Sequence, residues 1–192
     1  MKVKLTRVRL AFPNLFEPGS FEGAASKFGA KFVIEPGSAN SRALDEAMLA
    51  VAKEKWGDTK GKQVFDGLTK TGKPKNVEVA YVKEPYPNRD GDPYDGFDAA
   101  HYLSATNKAR PTILDRDKSN LVAADGRPYA GCYVNASIEV WAQDNSYGRA
   151  IRAELKGVQF ADAGDAFGGG GVASPDDFED LSSGADAEGA LA

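Results

Sequence analysis

Gly131-Cys132-Tyr133-Val134-Asn135-Ala136-Ser137-Ile138-Glu139-Val140-Trp141 is the stretch on which the reading of this chain turns. Cys132, Val134, Ala136, Ile138 and Val140 hold every second position, and Tyr133, Asn135, Ser137, Glu139 and Trp141 fall between them. Successive side chains of a strand point to opposite faces, so this order predicts one apolar face and one face with two aromatic rings among small polar groups. The turn formers Gln143-Asp144-Asn145-Ser146-Tyr147-Gly148 come next, and then Ile151, Ala153 and Leu155 alternate with Arg152, Glu154 and Lys156. Residues 131–159 therefore read as a hairpin, about ten residues per arm, buried on one side and decorated on the other. A decorated face of this kind is either a platform for stacking bases or the plain outside of a barrel.

Towards the N-terminus, Lys2 to Phe12 predicts a first strand in which Lys2, Lys4, Arg7 and Arg9 interleave with Val3, Leu5, Val8 and Leu10. The apolar parity switches between Leu5 and Val8, as at a bulge. Pro13-Asn14 and Pro18-Gly19 suggest a loop around Leu15 and Phe16. Lys27 to Ile34 alternates again, and Glu35-Pro36-Gly37 ends it. Asn40 to Trp56 predicts the one helix, with Leu44, Ala47, Met48, Val51, Ala52 and Trp56 in a stripe suited to core packing. Ser38, Asn40 or Ser41 suits its N-terminal cap and Gly57 its end. Between residues 57 and 130, short strands are expected at Asn76 to Val82 and His101 to Ala105, separated by turns such as Asp90-Gly91, Asp95-Gly96 and Asp125-Gly126. Several short strands, one helix between strand pairs and many Gly/Pro turns predict a mainly β fold, an OB-like barrel rather than an all-strand sandwich.

Past Phe160 the periodicity stops. Gly168 to Gly171 reads as a flexible linker, and residues 174–192 are acidic and poor in large apolar side chains, the composition of a disordered tail. The expected organisation is a body over residues 1–160 and a linker with an acidic tail over 161–192. Eight of the 28 acidic residues lie in 161–192 with none of the 24 basic ones, which leaves the body net positive by four although the chain is net −4. A basic body tethered to an acidic tail suits a polyanionic ligand with which the tail competes. No apolar run has the length of a membrane span, and Met1-Lys2-Val3-Lys4-Leu5 does not resemble a secretory leader, so a cytoplasmic location with no membrane partner is expected.

Residues for chemistry are scarce. His101 is the only histidine and Cys132 the only cysteine, which excludes zinc fingers and ribbons. Cys132 falls on the apolar parity, which suits a buried hydrophobe better than a nucleophile partnered by His101. Asp90, Asp92, Asp95 and Asp98 are the one carboxylate cluster that could hold magnesium, yet Asp-Gly and Asp-Pro pairs are ordinary turn chemistry and the spacing is not that of an EF-hand. No catalytic residue, metal or cofactor is therefore expected. The alternatives are a magnesium-dependent nuclease built on Asp90–Asp98 and a structural protein of a virion.

The positive signal is cations interleaved with rings. Single-stranded nucleic acid takes cations along its phosphates and flat side chains under its bases. The candidate cations are Lys4, Arg7, Arg9, Lys27, Lys31, Lys108, Arg110, Arg127, Arg149 and Arg152, and the candidate rings are Phe12, Tyr102, Tyr129, Tyr133 and Trp141.

Particular motifs carry a family likeness: Leu10-Ala11-Phe12-Pro13-Asn14-Leu15-Phe16-Glu17-Pro18, the Ala105 to Asp115 stretch with Arg110-Pro111, Tyr129-Ala130-Gly131-Cys132-Tyr133-Val134-Asn135-Ala136-Ser137, Gly157-Val158-Gln159 and Asp176-Asp177-Phe178. Together they resemble the bacteriophage OB-fold single-stranded DNA-binding proteins, a family first catalogued as a domain of unknown function, over most of residues 1–181. The resemblance implies a non-catalytic role in phage replication or recombination inside a bacterial host. The expected function is to coat and protect single-stranded DNA with little sequence preference. The tail, with Asp176, Asp177, Phe178, Glu179 and Asp180, is expected to compete for the DNA groove and to recruit replication proteins such as a polymerase or helicase.

Overall fold

The structure, a computed structural model, describes residues 1–20, 25–70 and 78–167. Its strands are β1 (Lys2–Gly19), β2 (Lys27–Ile34), β3 (Tyr81–Val82), β4 (His101–Asn107), β5 (Thr112–Leu114), β6 (Tyr133–Asn145) and β7 (Gly148–Asp162). Two helices, α1 (Ala39–Trp56) and α2 (Asp58–Leu68), stand between β2 and β3. β1 pairs antiparallel with β2 and β6, β2 with β4, and β6 with β7. A parallel contact between β4 and β7, Thr106 against Glu154, closes the sheet into a five-stranded barrel of OB type. β3 and β5 are short additions on β4 and β7.

The central hairpin folds as its pattern predicts. Cys132, Val134, Ile138 and Val140 are fully buried and Ala136 nearly so, while the intervening residues stay partly or wholly exposed. The strands extend further than expected, to Asn145 and from Gly148, so the turn shrinks to Ser146-Tyr147. Register shifts between Ser137 and Ile138, leaving Lys156 unmatched, and this bulge moves the buried parity from Leu155 to Val158 and Phe160. The parity switch expected in β1 is likewise a bulge between Leu5 and Val8, with Arg7 at φ 50°.

Two expectations are corrected. Residues 13–19 are not a loop; β1 continues through them to Gly19. Pro13 and Pro18 are tolerated because they fall in the two gaps of the pairing with β2, where no ladder hydrogen bond is lost. The single expected helix is followed by a second, α2. Its two glycines and lack of a long apolar stripe hide it in the sequence, but Gly61 is what lets it pack. A Cβ there would stand 2.5 Å from the Ala52 carbonyl oxygen, so only glycine permits so close an approach to α1.

The core lies inside the barrel, with Leu5, Leu10, Phe32, Leu103, Ile138 and Leu155 at 0–1% exposure. α1 covers its β1–β6 side with Leu44, Met48, Val51 and Ala52 and is capped by Ser38, whose Oγ accepts from the Ser41 N–H. A smaller cluster, Ala11, Val33, Phe97, Ala100 and Tyr102, sits outside the barrel wall under residues 83–100. Of the strand expected at Asn76 to Val82, residues 76 and 77 lie outside the described residues. Strand β7 runs two residues beyond Phe160, and Phe167 packs against the small outer cluster. The tail residues Asp176, Asp177, Phe178, Glu179 and Asp180 lie outside the described residues.

Candidate nucleic-acid interface

Alternation places Lys27 and Lys31 of β2, Tyr102, Ser104 and Thr106 of β4, Trp141 and Gln143 of β6, and Arg152 and Glu154 of β7 on the outer wall of the barrel. The ladder between β4 and β7 is a single pair, Thr106 and Glu154, joined by a bond from the Asn107 side-chain amide to the Leu155 carbonyl at 2.9 Å, and around it the wall opens into a groove of about 850 Å3. Lys27, Lys108, Trp141 and Arg152 line it together with Ser104, Thr106 and Gln143. Trp141 is 43% exposed and stands directly opposite Arg152, whose Nε donates to Gln143 Oε1 at 3.5 Å. Among the described residues no carboxylate is paired with Lys27 or Lys108, and Glu154 is engaged by Lys156 at 3.0 Å. The groove thus offers cations beside one open ring.

One end of the groove meets the small outer cluster at Lys31. Its Nζ donates to Ser104 Oγ at 2.8 Å and lies 4.1 Å from the Tyr86 ring and 5.3 Å from Tyr102. Burial among these rings lowers the Lys31 pKa to about 8. Phe12, at a second left-handed position of β1 (φ 48°), contacts Tyr94 at 5.0 Å and Tyr86 at 5.5 Å between ring centres. Neither Tyr86 nor Tyr94 is singled out by periodicity. Their signal is the flanking Tyr86-Pro87 and Pro93-Tyr94 around a turn, which the structure closes as a Pro87–Pro93 bridge. Gln143, Ser104 and Thr106 carry no sequence signal beyond their parity.

The remaining candidates are dispersed. Tyr133 shares a face of β6 with Trp141, but eight residues of strand put them roughly 26 Å apart. It lies instead beside β1, with the Arg7 guanidinium 4.6 Å and the Arg9 guanidinium 5.8 Å from its ring. Arg7 pairs with Asp162 at 3.0 Å, and Arg116 shares that carboxylate. Arg9 reaches the Asp165 carbonyl and lies 4.1 Å from the Phe167 ring. Lys4 lines a separate hollow with Ser137, Lys156 and Gln159. Arg110 lies over Phe16, next to the groove but not in its lining. Arg127 is held by Asp115 at 2.6 Å and Arg149 by Asp144 at 3.5 Å near the hairpin turn.

Two rings are not open platforms. Tyr102 is 6% exposed and forms the floor beneath Tyr86, and burial first of all raises its pKa to about 12. Tyr129 is half-buried against the main core, and its hydroxyl donates to the Gly164 carbonyl at 3.0 Å. Tyr102 thus lies beneath another ring, and Tyr129 is turned towards the core with its hydroxyl engaged.

Asp90 and Asp92 are turn residues whose N–H groups donate to Asn88 Oδ1 at 2.9 and 3.0 Å. Among the described residues no three His, Cys, Asp or Glu side chains gather in a manner that could hold a metal ion. Cys132 is fully buried, which pushes its thiol up, and His101 Nδ1 is occupied by the Tyr81 hydroxyl at 2.7 Å. The thiol is thus shut off from solvent, and the imidazole is engaged elsewhere.

Comparison with known proteins accords with this geometry. The family model described as Enterobacter phage Enc34, ssDNA-binding protein, matches residues 1–190. Protein p50 of Acyrthosiphon pisum secondary endosymbiont phage 1 is 43% identical over 190 residues, 95% of each chain. Among solved structures, the single-stranded DNA-binding protein of bacteriophage Enc34 in complex with ssDNA superposes with a TM-score of 0.67 at 23% identity, covering 87% of this chain and 89% of that one. The single-stranded DNA-binding protein gp2.5 of bacteriophage T7 superposes with a TM-score of 0.55 at 10% identity, covering 100% and 98%. At such identities these two structures speak for the shared fold. The barrel, its basic groove and the match along nearly the whole chain lead to one conclusion: the protein belongs to the Enterobacter phage Enc34 single-stranded DNA-binding protein family.

Proposed function

We propose that this protein coats single-stranded DNA during phage replication or recombination, with little sequence preference, and shields it from nucleases and from self-pairing. The groove carries the reading: Lys27, Lys108 and Arg152 supply cations for phosphates beside the open Trp141 ring. Flat rings accept any base, which accounts for tolerance of sequence. Fluorescence anisotropy with labelled oligo-dT tests it. Affinity falls with salt at a log–log slope of about −0.7 per phosphate neutralised. Binding that ignores salt, or no binding at low salt, overturns the reading.

The acidic stretch competes with DNA for the same surface. Residues 168–192 contain six carboxylates and no Lys or Arg, and they begin immediately after Phe167, which packs on Arg9 and Phe97 beside the groove's aromatic end. Tethering there gives the carboxylates a high effective concentration at the cations. Deleting 168–192 is expected to tighten oligo-dT binding most at low salt, and weaker binding would refute the competition. In this reading DNA frees the tail to dock replication proteins in the host cytoplasm.

A further inference from the structure

We infer that Phe12, Tyr86 and Tyr94 form a second base-stacking station, separate from Trp141, at the aromatic end of the groove. The inference rests on the single-stranded DNA reading above and extends it to residues outside the groove's lining.

Phe12 and Tyr94 are 43% and 36% exposed, and they touch each other, so their open surfaces make one patch. Leaving such rings in water forgoes the stabilisation that burial of their apolar area would bring. The Phe12 backbone adds to that cost. A bulky residue at φ 48° is strained, and strain of this kind collects at functional sites. Neighbouring Leu10 and Leu15 point into the barrel core, and the bulge places Phe12 on the outer wall instead.

The other two rings are held ready. Tyr86 and Tyr94 face each other across the Pro87–Pro93 bridge, and the Tyr94 N–H donates to the Tyr86 carbonyl at 2.9 Å. Their rings stack 5.4 Å apart at 18°. Asn88 closes the turn, while the buried Phe97 and Tyr102 form the floor. A preformed cluster of this kind gives up little conformational freedom on taking a planar ligand.

The occupant is a nucleobase of the strand already in the groove, because Lys31 joins the two places. Its ammonium lies over Tyr86 and bonds to Ser104, which itself lines the groove. A strand leaving Trp141 passes the cations Lys27 and Lys108, reaches Lys31, and arrives with a base at Phe12 and Tyr94.

The test uses the full-length protein with Phe12→Leu, Tyr94→Leu and Trp141→Leu. Each variant is titrated with labelled oligo-dT and with a strand of the same length built of abasic sites. Phe12→Leu and Tyr94→Leu are expected to weaken oligo-dT about tenfold and to leave the abasic strand unchanged, since stacking needs a base. Wild-type protein irradiated with 5-iododeoxyuridine oligonucleotides is expected to cross-link at Phe12 or Tyr94 as well as at Trp141. Wild-type affinity in both ring variants, with cross-links at Trp141 alone, overturns the second station while the groove reading stands. Unchanged DNA affinity with loss of a wild-type dimer on sedimentation makes the patch a contact between copies, and also overturns it. Failure of the wild-type protein to bind any strand at low salt removes the functional reading itself.

Discussion

Lys31 on β2 and Ser104 on β4 are partners across the sheet, and the lysine Nζ donates to the serine Oγ at 2.8 Å. That bond ties the open basic groove to the aromatic cluster and holds an ammonium between the Tyr86 and Tyr102 rings.

Burial there lowers the Lys31 pKa from 10.5 to about 8. Below pH 8 the group is charged, as the proposed phosphate contact requires; above it the charge goes, while burial keeps the Tyr86 and Tyr102 hydroxyls protonated to higher pH than usual. The salt slope of oligo-dT binding should therefore shrink by about 0.6 as pH rises from about 7 to about 9. Lys31→Met should abolish that change. Stability moves the other way: between pH 8 and 10.5 the unfolded chain holds the proton that the folded one has lost, so this group's contribution to stability rises with pH across that window. Urea denaturation of both proteins at about pH 7 and about pH 9.5 measures the difference.

Trp141 and Tyr133 occupy the same face of one strand but different neighbourhoods. Trp141→Ala should cost about 1–3 kcal/mol of oligo-dT affinity on strands only a few nucleotides long. Tyr133→Ala should cost clearly less on those strands, because its ring lies with Arg7 and Arg9 beyond the groove. Equal losses on short strands would place Tyr133 on the DNA path.

Gly61 sets the spacing of the helix pair. Gly61→Ala puts a methyl group 2.5 Å from a backbone oxygen of α1, which neither helix yields without shifting. A loss of about 1–3 kcal/mol is expected in chemical denaturation, as for other overpacked sites. DNA affinity of the folded fraction should hardly change, since α2 contributes nothing to the groove lining.

Asp144 pins the hairpin turn to α1. Its Oδ2 accepts from the Trp56 indole at 2.6 Å and faces Arg149 at 3.5 Å. The Trp56 hydrogen bond, with Arg149 adding to it, holds the carboxyl below its ordinary 3.8. Its contribution to stability is thus present above that value and lost as pH falls through the lower folded pKa. In a Trp141→Phe background, Trp56 is the remaining tryptophan, and its emission should shift at a pH below 3.8. Asp144→Ala should remove the transition.

Period-two alternation in residues 131–141 and 27–34, and the stripe Leu44–Met48–Val51–Ala52, were legible because each reports a choice made within a few residues: which face meets the core. The bulge in β1 was legible for the same reason, as a slip of parity. Non-local contacts decided the rest. β1 crosses two prolines because β2 asks nothing of the backbone at those points, and α2 forms because Gly61 admits α1. The site divides along the same line. Types of residue suited to single-stranded DNA are evident from the chain alone, but Lys27, Lys108, Trp141 and Arg152 come together only where β4 meets β7. Tyr86 and Tyr94 join Phe12 only through a turn with no periodicity. Parity says which way a side chain faces, whereas closure of the barrel sets what it faces.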